Sequence, residues 1–288
     1  MFWSVLTGKL ERAKFLDPVA SGVERVVNTV LPRGPVKDAL HGVWLSHPLH
    51  PLLVAGPIGL WAGASLLDLS PDPGKRRAAR TLVGAGVLAV APTAASGLAD
   101  WSELGAFQRP KRVGLVHALA NTTTTLLYGA SWLARRRGDQ AAGARLALAG
   151  AAGLMVGGYL GGHLSYSQGV GVNRNADEPP EPSDWTDIAG ESELAAPGLH
   201  GLDVDGQPVL LTHRDGRWMA IGARCSHFGA PLDQGELVGG TEPCVVCPWH
   251  GSTFSLRDGG VERGPATEPQ RAYDVRVVGG RLQLRART

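Results

Sequence analysis

Cysteine is scarce: Cys225, Cys244 and Cys247 are the only three in 288 residues. That is too few for a disulfide framework to hold the fold. Charge is nearly balanced at +2, so no basic excess points to nucleic acid as a partner. The opening stretch carries Lys9, Glu11, Arg12 and Lys14 and offers no apolar core of signal-peptide length. The chain also lacks a nucleophile–base motif, a phosphate-gripping glycine loop and a zinc-protease helix motif. These absences weigh against an enzyme with a substrate of its own.

Apolar residues and 40 glycines are plentiful, and they are unevenly spread. Residues 51–69, 81–99, 113–133 and 146–164 are four apolar runs, each near the about 20 residues a helix needs to cross about 30 Å of hydrocarbon. The first part of the chain is therefore expected to be a four-helix transmembrane bundle in contact with lipid, over residues 47–165. Gly153, Gly157 and Gly161, spaced by four, allow close packing of the last helix. The run Thr122 to Thr125 is expected to bond between helices. Residues 1–46 form an amphipathic segment, with Val19, Val23, Val26, Val27 and Val30 at helical spacing after Asp17-Pro18. Such a segment can lie on a membrane surface or dock on the bundle, and docking is the expectation, since its polar face is not notably basic.

Lys75, Arg76, Arg77 and Arg80 lie in one short loop, and Arg135, Arg136, Arg137 and Arg145 in another on the same side. The opposite short loop has only Arg109, Lys111 and Arg112. The excess of positive charge inside then favours a bacterial cell membrane location with both termini outward, the opposite orientation staying open. His47, His50, His117 and His163 fall on the side of the C-terminal part. Such histidines suit either helix-end hydrogen bonds or a redox group, haem b or quinone, in the bundle.

Residues 166–184 are glycine-rich, then acidic and proline-rich, which predicts an extended spacer. Residues 185–288 alternate in short apolar runs, as at 208–213, 218–221, 273–278 and 281–284. Asp215-Gly216, Gly239-Gly240, Asp258-Gly259 and Gly279-Gly280 punctuate them. That pattern predicts an antiparallel β domain, so the fold class is multidomain, an α-helical membrane bundle followed by an all-β sandwich.

Within the β part, Cys225 and His227 are one residue apart, and Cys247 and His250 are two apart. Two thiolates and two imidazoles can bind tetrahedral zinc, or a 2Fe-2S centre with cysteines on one iron and histidines on the other. Mixed Cys/His halves are a poor zinc signature, since zinc fingers pair like with like. Cys244 reads as a buried bystander.

The run Cys247-Pro-Trp-His-Gly-Ser-Thr-Phe254, followed by Gly264-Pro265-Ala266, resembles the Rieske family over about residues 183–288. The resemblance implies a β sandwich with the cluster at its tip, ligated by Cys225, His227, Cys247 and His250, with Ser252, Trp249, Gly264 and Pro265 around it. High-potential members carry a disulfide at the positions of Ala230 and Trp249 and a tyrosine at that of Phe254. This chain therefore resembles the ferredoxin type, and one retained donor, Ser252, implies a potential below the top of the family range of about −150 to +300 mV. His227 and His250 are expected to face solvent and gate the electron. The segment 38–51 with Gly158-Tyr-Leu-Gly-Gly-His163 resembles an uncharacterised bacterial four-span membrane family.

Together these readings imply a membrane-anchored carrier passing single electrons to or from a redox protein. The alternatives are an oxidoreductase subunit with haem or quinone in the bundle, and an iron or redox sensor.

Overall fold

The computed structural model describes residues 2–194, 197–240 and 242–287. Two compact units emerge: Met1–Pro32 with Leu49–Val170, and Arg33–Pro48 with Gly171–Thr288. The amphipathic segment expected over residues 1–46 is thus divided. Its first part belongs with the helices and its last part with the strands.

In chain order the helices are α1 (Phe2–Glu11), α2 (Asp17–Val30), α3 (Pro35–His41), α4 (Leu49–Asp68), α5 (Pro73–Ser102), α6 (Gln108–Arg136) and α7 (Gln140–Gly162). All but α3 belong to the helical unit. Asp72 starts α5 and Asp139 starts α7 by accepting the amides of Lys75 and Ala142. Trp61 and Tyr128 stack at 4.1 Å among Ala64, Ala79, Val83 and Ala147. Gly86 and Gly150 let these rings approach, since a Cβ would collide with Trp61 at one and stand 2.8 Å from Tyr128 at the other. The stripe on α7 does pack closely: a Cβ on Gly153 or Gly157 would strike Thr124 or Asn121 of α6.

Three helices are long and apolar enough to cross a membrane: Leu49–Asp68, Pro73–Ser102 and Gln140–Ser167. Among the described residues α6 falls outside that group, although it is 29 residues long, because Asn121 and four threonines lower its hydropathy. Those threonines do not bond between helices as expected. Thr122, Thr123 and Thr125 donate to the carbonyls of Ala118, Leu119 and Asn121 in their own helix, which satisfies hydroxyls without a neighbour.

The helix α2 lies against α6 through ion pairs. Asp17 pairs with Arg112 at 2.6 Å and Glu24 with Lys111 at 2.6 Å. These ties turn Ala20 and Val27 inward and leave Val19, Val26 and Val30 exposed.

The strands of the β unit are β1 (Thr186–Gly190), β2 (Leu199–Val204), β3 (Gln207–Arg214), β4 (Arg217–Gly222), β5 (Glu236–Val238), β6 (Cys244–Val246), β7 (Thr253–Ser255), β8 (Val261–Arg263), β9 (Ala272–Val278) and β10 (Arg281–Ala286). Six of them form one antiparallel sheet in the order β1-β10-β9-β4-β3-β2, and β5 to β8 form a second in sequence order. Leu210, Ile221, Leu232, Val245, Phe254 and Leu256 fill one core with both Cys225 and Cys247.

The proline-rich stretch is no free spacer. Gln207 donates to the carbonyls of Pro179 and Pro180, Arg271 to that of Pro179, and the Ala286 amide to that of Pro182. Arg271 also pairs with Glu178 and Glu181. Prolines donate nothing but keep their carbonyls, and here those carbonyls strap the segment to the sheet.

Candidate metal centre

Two loops of the same construction carry the four candidate ligands. In the first, the Cys225 amide donates to Ala230 O at 2.8 Å and the Gly229 amide to Cys225 O at 2.8 Å. In the second, the Cys247 amide donates to Ser252 O at 2.8 Å and the Gly251 amide to Cys247 O at 3.0 Å. Gly229 and Gly251 close the turns at φ +77° and +74°, a conformation that glycine adopts at little cost. Each loop thus wraps tightly back on its cysteine, and β6 leads into the second loop while β7 leads out.

The cysteines are buried, at 1% and 3% exposure, and their thiols hydrogen-bond to each other. That contact with Cys225 chiefly pulls Cys247 well below the ordinary thiol range, and the amides of His250, Trp249 and Gly251 reinforce it. The same contact with Cys247, joined by burial, pushes Cys225 up.

The rings of His227 and His250 stand 5.0 Å apart and nearly perpendicular. Burial holds His227 far below its ordinary range, helped by the nearby charges of His250, His41 and Arg174. It is therefore neutral, the state that can bind a metal. Its Nδ1 is buried with no hydrogen-bond partner, an uncommon and costly condition unless something else takes the lone pair.

These donors fit a 2Fe-2S cluster better than zinc. A binuclear centre takes the ligands in two pairs, and here the sulfurs meet each other while the imidazoles form a separate pair.

The expectation that both histidines face solvent does not hold. His250 is 5% exposed and His227 is half-buried; Trp249 is the exposed part of the second loop at 51%. Ser252 is fully buried, and its hydroxyl oxygen accepts the Ala266 amide at 2.9 Å. Ser252 thereby ties the second loop to the loop of Gly264 and Pro265, both buried. Ser252→Ala is expected to orphan that amide and cost about 1–3 kcal/mol, read by denaturant unfolding of the full-length protein. Cys244 is half-buried, not buried, and its sulfur lies against Glu242 O.

Several residues near the centre carry no motif of their own. Asp38 and His41 lie against Gly264, Arg33 against Gly251, and the Arg174 amide donates to Ser226 O. Asp38 and His41 fall in the segment 38–51 whose resemblance is to a membrane family, which carries no register with a site about two hundred residues away.

The bundle histidines separate. His47 is exposed and belongs to the β unit. His163 Nε2 meets Glu11 Oε1 at 2.9 Å. The Nδ1 atoms of His50 and His117 bond instead to the carbonyls of Thr93 and Gly157, at 3.0 and 2.9 Å. His117 Nε2 also meets Asn121 Nδ2, one turn on, at 3.0 Å.

Comparison with known proteins follows the same division. A model described as the Rieske [2Fe-2S] domain matches residues 184–274, and one described as a predicted membrane protein (DUF2231) matches 46–174. The 3-phenylpropionate/cinnamic acid dioxygenase ferredoxin subunit of Escherichia coli (strain K12) is 38% identical over 85 residues, 29% of this chain and 78% of that protein. Apoptosis-inducing factor 3 of Mus musculus is 29% identical over 109 residues, 37% of this chain, which spans only 18% of that relative's length. Among solved structures, the ferredoxin of carbazole 1,9a-dioxygenase from Nocardioides aromaticivorans IC177 is 32% identical, covering 36% of this chain and all of that one, with a TM-score of 0.34.

Proposed function

Because the chain belongs to the Rieske [2Fe-2S] family through its C-terminal part and carries a DUF2231 membrane domain ahead of it, we propose that it is a membrane-anchored one-electron carrier. Cys225 and Cys247 would hold one iron and His227 and His250 the other. The bound cluster would supply reversible one-electron chemistry. The protein's own residues do the rest. Backbone amides around Cys247 stabilise negative sulfur, burial keeps His227 neutral, and Ser252 fixes the second loop against Ala266.

The observation that carries this reading is the buried, unpartnered Nδ1 of His227 beside a mutually bonded thiol pair. A redox protein is the expected donor or acceptor, as for the ferredoxin subunits it resembles. Four crossings with the β unit outward agree with the loop charges. Several of those charges are neutralised, Arg135 by Asp68, Arg112 by Asp17 and Lys111 by Glu24.

The test is metal and acid-labile sulfide analysis of the purified full-length protein with electron paramagnetic resonance after dithionite. Iron and sulfide in equal amounts and a rhombic resonance are expected. Zinc alone, with no resonance, ends the reading.

One observation favours a second redox group. The bond from His50 Nδ1 to the Thr93 carbonyl fixes the tautomer with Nε2 as the acceptor, the arrangement of a haem or metal ligand. His117 makes the same kind of bond, but its Nε2 is already engaged by Asn121, so a bis-histidine haem would have to displace that amide. A cofactor here would make the chain an oxidoreductase subunit. A sharp reduced haem band beside the broad cluster absorption is the expected sign, and its absence removes haem b from the account.

A further inference from the structure

The end of the β unit that holds both site histidines is covered by a stretch from the far side of the sequence. Arg33–Pro48 folds onto it as part of the same unit. At one point Arg33 comes so near Gly251, the residue after His250, that an added Cβ there would strike its guanidinium. At another, Asp38 Oδ1 accepts the Gly264 amide at 3.0 Å while Oδ2 pairs with Arg263 Nε at 2.9 Å. His41 and Val43 close against the same glycine, where a Cβ would stand 3.0 and 3.3 Å from them.

The contact is well sealed. His41, whose ring lies against Gly264, is 2% exposed. The carboxylate of Asp38 serves two partners at once. Its ion pair with the half-exposed Arg263 contributes little, so the charge-assisted bond to the Gly264 amide is the stronger hold. That amide begins the loop whose Ala266 amide is bonded to Ser252.

We infer that Arg33–Pro48 is a lid, latched by Asp38, which closes the histidine end of the site to small solutes. Trp249 remains outside it. The lid explains why His250 is nearly inaccessible although its loop lies at an end of the fold. It also restricts electron exchange, because tunnelling weakens steeply with distance and a reagent stopped at the lid cannot approach the imidazoles.

This inference rests on the cluster reading, and the experiment separates the two. Full-length wild type, Asp38→Ala and Val43→Glu are compared in detergent by hydrogen exchange over the lid and the Gly264 loop, and by the rate at which ferricyanide takes one electron from the dithionite-reduced protein. Losing a charged hydrogen bond shifts a local opening equilibrium by about tenfold or more. Asp38→Ala is expected to raise both rates by about that factor, and Val43→Glu to act in the same direction. Faster exchange with an unchanged ferricyanide rate overturns the lid's screening role. Unchanged exchange in Asp38→Ala overturns its role as the latch. A wild type with no rhombic resonance defeats the cluster reading, while hydrogen exchange still reports whether the lid is seated.

Discussion

Full-length Cys225→Ala protein is expected to give no rhombic resonance after dithionite and no cluster absorption, while Cys244→Ala keeps both. Cys225 is 1% exposed, sits in the core with Leu210, Ile221 and Phe254, and bonds through its thiol to Cys247. On the proposed ligand set, removing it would take away one of the two sulfur donors, and it leaves Cys247 without its partner. Binding of the metal and folding of its loops are coupled, so the variant should also unfold at lower denaturant than wild type. Cys244 lies on β6 against Glu242 O and supplies nothing to the centre. A full resonance from Cys225→Ala, or its loss in Cys244→Ala, would show that the ligands have been assigned wrongly.

In the helical unit the largest effect is expected from Asp68→Ala. The Arg135 side chain is completely buried, and its two terminal nitrogens reach the Asp68 carboxylate at 2.7 and 2.5 Å. Its Nε donates to Ser131 Oγ. Deleting Asp68 strands a guanidinium in the packed end of the bundle, which costs about 3–5 kcal/mol. The double variant Asp68→Leu with Arg135→Leu should recover most of this, because replacing both members with apolar groups removes the stranded charge. Thermal unfolding in detergent reads the difference. Equal stability of the single and double variants would mean that the pair is solvated and contributes little.

This pair also shows what loop charge conceals. Arg135 counts among the charges at the end of the third expected span, yet its partner is Asp68, 67 residues earlier. Spacing along the chain cannot reveal that they meet. The same holds for α2, whose valines recur at helical spacing while the ties of Asp17 and Glu24 to α6 set which of them face inward. The short sheet β5 to β8 is equally hidden. Its strands have three residues each, too few for alternation to stand out from turn composition, yet two of them frame the second ligand loop.

The long strands are easier to foresee. Runs at 208–213, 218–221, 273–278 and 281–284 fall within β3, β4, β9 and β10; burial alternates along β10, while β3 is buried on both faces and reads as a short continuous apolar run. The glycines on α7 are legible for a related reason, since a spacing of four keeps them on one helix face.

By itself, the sequence determined the two classes of structure and the identity of the four candidate ligands, because periodicity and the spacing of Cys and His within a tight loop are local properties. Tertiary structure alone decided how the flanking segments are used. Residues 171–182 read as part of a spacer, and Arg33–Pro48 as the end of an amphipathic segment and the start of the bundle, yet they are bound to the β unit by carbonyls, a carboxylate and a guanidinium whose partners lie far along the chain. Long-range polar contacts of this kind leave no period and no motif, so only the folded chain shows that the histidine end of the site is covered.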